Sequence, residues 1–156
     1  MKHVQTKVDP IPAGCHSITP YLTVADAAGL IEFLKRAFDA VERARISRPD
    51  GSVLHAQVSI ADSLLMIGEP QGQWKARASM LYLYVRDIDA VYKQAIAAGA
   101  ISVIEPADMF YGDRTACVRD VAGNDWWIAT RIENPSLQQI QERATAFFEA
   151  KGKSAA

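Results

Sequence analysis

A repeated hexapeptide constrains this chain more than any other feature. Tyr21-Leu22-Thr23-Val24-Ala25-Asp26 and Tyr82-Leu83-Tyr84-Val85-Arg86-Asp87 both read Y-L-x-V-x-D. Each copy leads into a helical pattern. Residues 27–38 place Leu30, Phe33, Leu34 and Phe38 on one stripe, and residues 88–98 do the same with Ile88, Val91, Tyr92, Ala95 and Ile96. Asp26 and Asp87 stand where a side chain accepts from the free amides of a helix start, and Gly99 offers the left-handed turn that ends the second helix. A unit that recurs with its own helix predicts two structural modules rather than one irregular domain.

Three strands fit after each helix. In the first half they are 41–47, 53–60 and 64–67, separated by Pro49-Asp50-Gly51-Ser52 and Ala61-Asp62-Ser63. In the second they are 101–104, 114–119 and 125–130, the last two joined by Asp120-Val121-Ala122-Gly123-Asn124, where Gly123-Asn124 supplies positive φ. The predicted fold is α+β: two βαβββ modules, at about 17–69 and 80–131, forming curved mixed sheets around a cavity within one domain, 1–156. Residues 70–79 are the linker. Leu137, Ile140, Ala144, Phe147 and Phe148 recur at helical spacing, so a C-terminal helix is expected over about 136–151, followed by a loose tail.

Composition narrows the partners. Apolar residues make up 49% of the chain, enough for a full core, and the formal net charge is −1. That balance lacks the basic footprint a phosphate backbone requires, so no nucleic acid is expected. The longest apolar runs, such as Leu64-Leu65-Met66-Ile67, are strand-sized, so no membrane span is expected either. Residues 1–12 carry no apolar stretch for a secretion signal, and a cytoplasmic location follows. Cys15 and Cys117 are then expected as free thiols.

The two units, the Y-L-x-V-x-D openings and the Asp120-x-x-Gly123-Asn124 turn together resemble the vicinal oxygen chelate superfamily, over about 17–131. That group includes glyoxalase I, extradiol dioxygenases, and bleomycin- and fosfomycin-resistance proteins. His55-Ala56-x-Val58, Tyr111-Gly112-Asp113-Arg114 and Asn124-Asp125-Trp126-Trp127 are similar to its PhnB-like glyoxalase/bleomycin-resistance branch. The resemblance implies modules that pair through their first strands, either within one chain or by exchange between the two chains of a homodimer.

Enzymes of this superfamily hold a divalent metal with His and Glu, and the ion acts as Lewis acid on two substrate oxygens. Carried over residue by residue, those positions fall here on Thr19, Leu65 or Met66, Met80 and Trp127. A neutral hydroxyl, thioethers and an indole do not suit such an ion, so neither metal nor other cofactor is expected. His55 and Glu69 are the nearest candidates for a replacement site, and two residues alone do not make a chelate.

Without a metal, the pocket works by shape, stacking and a few polar groups. Its candidate lining is Tyr21, His55, Tyr82, Tyr84, Phe110, Tyr111, Arg114 and Trp127. Neighbours on a strand face opposite sides, and the family register turns Trp127 inward, as a stacking face or as core filling. Phe110 and Tyr111 form a lid or cap the core. Arg114 pairs an anionic ligand, or else Asp113 or Asp120 structurally. Trp74 is a dimer contact or a flap. The reading that follows is a metal-independent small-molecule binder of the antibiotic-resistance type, sequestering an aromatic or apolar compound. The alternative is a lyase, isomerase or dioxygenase with a shifted metal site or His55 as general base.

Overall fold

The computed structural model describes residues 8–154; residues 1–7, within the stretch read for a secretion signal, and the last two residues of the tail lie outside it. Module one runs β1 (Tyr21–Thr23), α1 (Ala27–Phe38), β2 (Val41–Ser47), β3 (Val53–Ile60) and β4 (Ser63–Gly68). Module two repeats it as β5 (Met80–Tyr84), α2 (Ile88–Ala97), β6 (Ile101–Asp108), β7 (Asp113–Arg119) and β8 (Asp125–Arg131), and α3 (Leu137–Ser154) follows. Each module forms a four-stranded mixed sheet of equivalent order, β1-β4-β3-β2 and β5-β8-β7-β6.

The local signals act as their chemistry requires. Asp26 accepts from the Gly29 amide at 2.8 Å and Asp87 from the Ala90 amide at 3.0 Å, each capping its helix. The α1 stripe is fully used: Leu30, Phe33, Leu34 and Phe38 are all buried. On α2 only Ile88 and Ala95 are buried, with Val91 and Tyr92 packed at the margin.

Several local details differ from expectation. β6 continues to Asp108 through Pro106, because it is the edge strand of its sheet and a missing amide there breaks no ladder bond. The connection expected between the strands 101–104 and 114–119 therefore shrinks to 109–112. α3 runs on through Gly152 to Ser154, so the first part of the expected tail is helical. In the 120–124 turn only Gly123 takes positive φ, at 89°; Asn124 is instead buried and held by Asp120.

The sheets pack through their helix-bearing faces. Ala56, Val58, Ile60 and Ile67 from module one and Ala116, Val118, Trp126 and Ile128 from module two belong to a single buried cluster with α1 and α2. Phe38 meets Trp126 at 4.9 Å between ring centroids, and Gln94 of α2 donates to the Arg36 carbonyl and to Asp39 at the end of α1. The opposite faces of both sheets are thereby left on the outside. Among the described residues, β1 and β5 are sheet edges that do not pair with each other. Residues of both strands, together with Trp126, line a groove of about 380 Å³. First-strand pairing within the chain, one of the two expected arrangements, is not formed.

Candidate functional site

Register converts the outward face of module two into rows of side chains. Ladder partners point to the same side of a sheet. One row reads Tyr84 (β5), Ala129 (β8), Thr115 (β7) and Ala107 (β6); the next reads Tyr82, Trp127, Cys117 and Ile104. Tyr82 and Trp127 stack with planes 2° apart and centroids 6.3 Å apart, and Tyr84 tilts against Tyr82 at 5.3 Å. The tyrosines remain about half exposed, 45% for Tyr82 and 58% for Tyr84, so the aromatic face is open to solvent. Trp126, the other member of the pair, faces the core at 2% exposure, as the inward reading of Trp127 requires.

A polar knot closes one end of this wall. The Tyr84 hydroxyl donates to Asp113 Oδ2 at 2.9 Å, and Arg131 Nη1 lies 3.2 Å from Asp113 Oδ1 while donating to the Tyr111 carbonyl at 2.8 Å. The bond to Asp113 raises the pKa of Tyr84, so its hydroxyl stays a donor. Burial, followed by the neighbouring Tyr111 hydroxyl, raises that of Tyr82. Phe110 packs edge-on to Tyr111 and against Phe147 of α3, and Arg143 of α3 donates to the Phe110 carbonyl. The loop carrying both aromatics is thus held from outside by the C-terminal helix. Of that helix's stripe, Ile140, Ala144 and Phe147 are half-buried, while Leu137 and Phe148 are exposed.

Module one contributes a second wall. Tyr21 and His55 share its outward face, with ring centroids 5.8 Å apart. Met66 is the ladder partner of Tyr21 on that face, whereas Leu65 is buried in the core. A cavity of about 510 Å³ opens beside them, lined by Tyr21, Thr23, Leu54, Glu69, Gln71, Trp74 and Arg77. Gly68 lets the Tyr21 side chain approach closely: a Cβ there would lie 2.5 Å from the Tyr21 hydroxyl oxygen and 2.8 Å from the Leu54 carbonyl oxygen. Trp74, from the linker, flanks this cavity and not the wall of module two.

Of the expected lining, Tyr82, Tyr84, Phe110, Tyr111 and Trp127 come together on module two, and Tyr21 and His55 on module one. Arg114 does not join them. It faces the helix side of β7, where its guanidinium binds Asp89 through two bonds of 2.9 Å and Asp108 through a third. Its partners are neither Asp113 nor Asp120. Asp113, Thr115 and Cys117 occupy the outward face instead. Period-2 alternation puts 113 and 114 on opposite sides, but the sequence does not say which side is which.

At the four positions carried over from the superfamily's metal ligands the chain has neither imidazole nor carboxylate. Thr19 donates its hydroxyl to the His16 carbonyl, Met66 lies under Tyr21, Met80 is exposed and Trp127 stacks on Tyr82. Glu69 accepts from the Ala27 amide at the start of α1, so this oxygen is committed to the helix. Among the described residues no three His, Cys, Asp or Glu side chains gather where they could hold an ion. This donor set does not fit a divalent metal.

The two cysteines differ in burial. Burial pushes the Cys117 thiol up, while Cys15 is half-buried near the N-terminus. In the folded protein a thiol reagent should titrate one cysteine per chain quickly, Cys15, and reach Cys117 only on unfolding. Two fast thiols would show that the module-two wall is more open than described.

Two βαβββ modules sharing one core, with aromatic outward faces, define the class: a paired-module α+β scaffold. Residues 14–128 match the model of the Glyoxalase/Bleomycin resistance protein/Dioxygenase superfamily, and the chain belongs to that family. An uncharacterized protein of Mycobacterium bovis is 33% identical over 136 residues, covering 80% of this chain and 90% of its own. Among solved structures, TioX from Micromonospora sp. ML1 aligns with a TM-score of 0.66 at 21% identity, covering 76% of this chain and all (100%) of TioX. The PhnB protein from Bacillus cereus aligns with a TM-score of 0.59 at 17% identity, over 74% of this chain and 99% of its own. At these identities the structural likenesses establish the fold.

Proposed function

We propose that this protein is a metal-independent small-molecule binder of the PhnB-like, bleomycin-resistance type, which sequesters a planar aromatic compound. The binding crevice is built by two copies of the chain: the Tyr21/His55 wall of one copy faces the Tyr82/Tyr84/Trp127 wall of the other. One observation carries this reading. Each sheet turns an open aromatic face outward, and each ends in an unpaired edge strand, β1 or β5. An exposed edge flanked by apolar side chains is a template for pairing with another chain, and exchange across a two-fold axis would satisfy both edges at once. Met80 on β5 and Trp74 in the linker are 71% and 61% exposed, which further supports a covering copy.

The absence of carboxylate and imidazole from the four superfamily positions supports binding without Lewis-acid chemistry. Sequestration needs only desolvated aromatic faces, and ring stacking adds about 0.5–1.5 kcal/mol per pair beyond area burial. Sedimentation should give a homodimer, and thermal-shift screening should find a planar aromatic antibiotic whose stabilisation is unchanged by EDTA. A chelator-sensitive shift, or turnover of hemithioacetal on adding Ni or Zn, would sink the reading. His55 beside Tyr21 keeps one enzymatic alternative testable: as general base, its replacement by Ala would abolish turnover and leave the fold intact.

A further inference from the structure

On β7, beneath the aromatic wall, two buried polar atoms are left over. Thr115 Oγ1 and Asp113 Oδ1 are both buried and have no hydrogen-bond partner among the described residues. Thr115 is 0% exposed and Asp113 is 2% exposed. Arg131 neutralises the Asp113 charge from 3.2 Å, but its N–H groups are not aligned on Oδ1. Such atoms are uncommon in native interiors, where buried polar groups are almost always paired.

Their direction follows from the register. Ala116 and Val118 point into the core, so Asp113, Thr115 and Cys117 point to the outward face. Thr115 is nevertheless buried, and Tyr84 reaches across the sheet on that side. Tyr84 stands on β5, two strands from β7, yet its hydroxyl meets Asp113 on β7. Its ring therefore spans β8 above Ala129, whose small side chain leaves room for it. The ring's outer side is open to solvent, and one bond holds it down.

We propose that Thr115 and Asp113 form the specificity floor of the module-two wall, and that Tyr84 is its cover. The ligand class is a planar aromatic carrying a neutral N–H or O–H donor, such as an amide, lactam or phenol. The donor replaces the Tyr84 hydroxyl on Asp113, and Thr115 engages the adjoining carbonyl or hydroxyl oxygen. A carboxylate is refused, since it would bring acceptors to an acceptor. A full cation gains little, because Arg131 already balances the aspartate. This inference rests on the module-two wall being a ligand site, as proposed above, but names the chemistry that wall selects.

The test uses the full chain and three matched probes: 2-naphthamide, 2-naphthoate and naphthalene, followed by NMR or calorimetry. The amide should bind about tenfold more tightly than either of the others, the scale of one net hydrogen bond. Thr115→Val should erase that preference. It should also leave the melting temperature of the free protein equal or higher, because the lost hydroxyl had no partner. Tyr84→Phe should bind the amide more tightly than the parent, since nothing then competes for Asp113. Equal affinity for the three probes, no amide binding up to the millimolar range, or a Thr115→Val protein that melts several degrees lower would each overturn the inference. So would a Tyr84→Phe protein that binds the amide no better. The two-copy crevice is judged separately by sedimentation, so failure here leaves that reading standing or falling on its own result.

Discussion

Replacing Asp120 with Ala should cost on the order of 4 kcal/mol of stability, the largest loss expected from any single polar substitution in this chain. Its carboxylate accepts four hydrogen bonds, from the Ala122 and Asn124 amides, from Asn124 Nδ2 and from Trp126 Nε1, all within 2.8–2.9 Å. Asn124 and Trp126 are themselves buried, so truncation leaves donors with no route to water. The damage should spread beyond the turn. Asn124 Oδ1 accepts from the Ser79 amide, which fixes the entry into β5 and hence the position of Tyr82 and Tyr84. Urea denaturation of Asp120→Ala and Asp120→Asn checks this. The Asn variant keeps one acceptor and should lose about half as much. A loss below about 1 kcal/mol for the Ala variant would mean that the turn is organised by something other than this carboxylate.

The adjacent tryptophans should respond in opposite ways. Trp126→Ala removes a side chain that is 2% exposed, packs on Phe38 and donates to Asp120, and about 3–5 kcal/mol should be lost. Trp127→Ala removes a half-buried ring whose stacking partner, Tyr82, is itself 45% exposed, and should cost about 1 kcal/mol. Binding of an aromatic ligand should show the reverse order, lost in Trp127→Ala and retained in any Trp126 variant that folds. Chemical denaturation and ligand titration on the two proteins separate these effects. If Trp127 proved the costlier for stability, the sheet would face the other way and the aromatic wall would be core.

Much of the architecture was legible because its signals are local. The Y-L-x-V-x-D repeat, two aspartate caps and a glycine turn each act within a few residues, and a period of two or 3.6 reports directly on one face of an element. The site was legible only in part. Alternation puts Tyr82 and Tyr84 on one strand face, and the family resemblance turns Trp127 inward. For Arg114 the sequence leaves two roles open, an anionic ligand or a structural pairing with Asp113 or Asp120, and its partners are instead Asp89 and Asp108. The structure assigns the outward face to Asp113 instead, and no property of the dipeptide Asp113-Arg114 encodes that choice. Thr115 gave no signal at all, since its importance lies in what surrounds it.

The chain's own sequence therefore determined the repeat, the capped starts of α1 and α2, the equivalent strands of each module and the unsuitability of Thr19, Met66, Met80 and Trp127 as ligands for a hard cation. Those properties belong to short segments and to the chemistry of single side chains. Tertiary structure alone decided that the modules meet through their helix-bearing faces, leaving β1 and β5 unpaired with each other. It alone decided that Tyr84 crosses Ala129 to reach Asp113. Both depend on contacts between residues far apart in sequence, whose burial is a property of the assembled core and not of any segment within it.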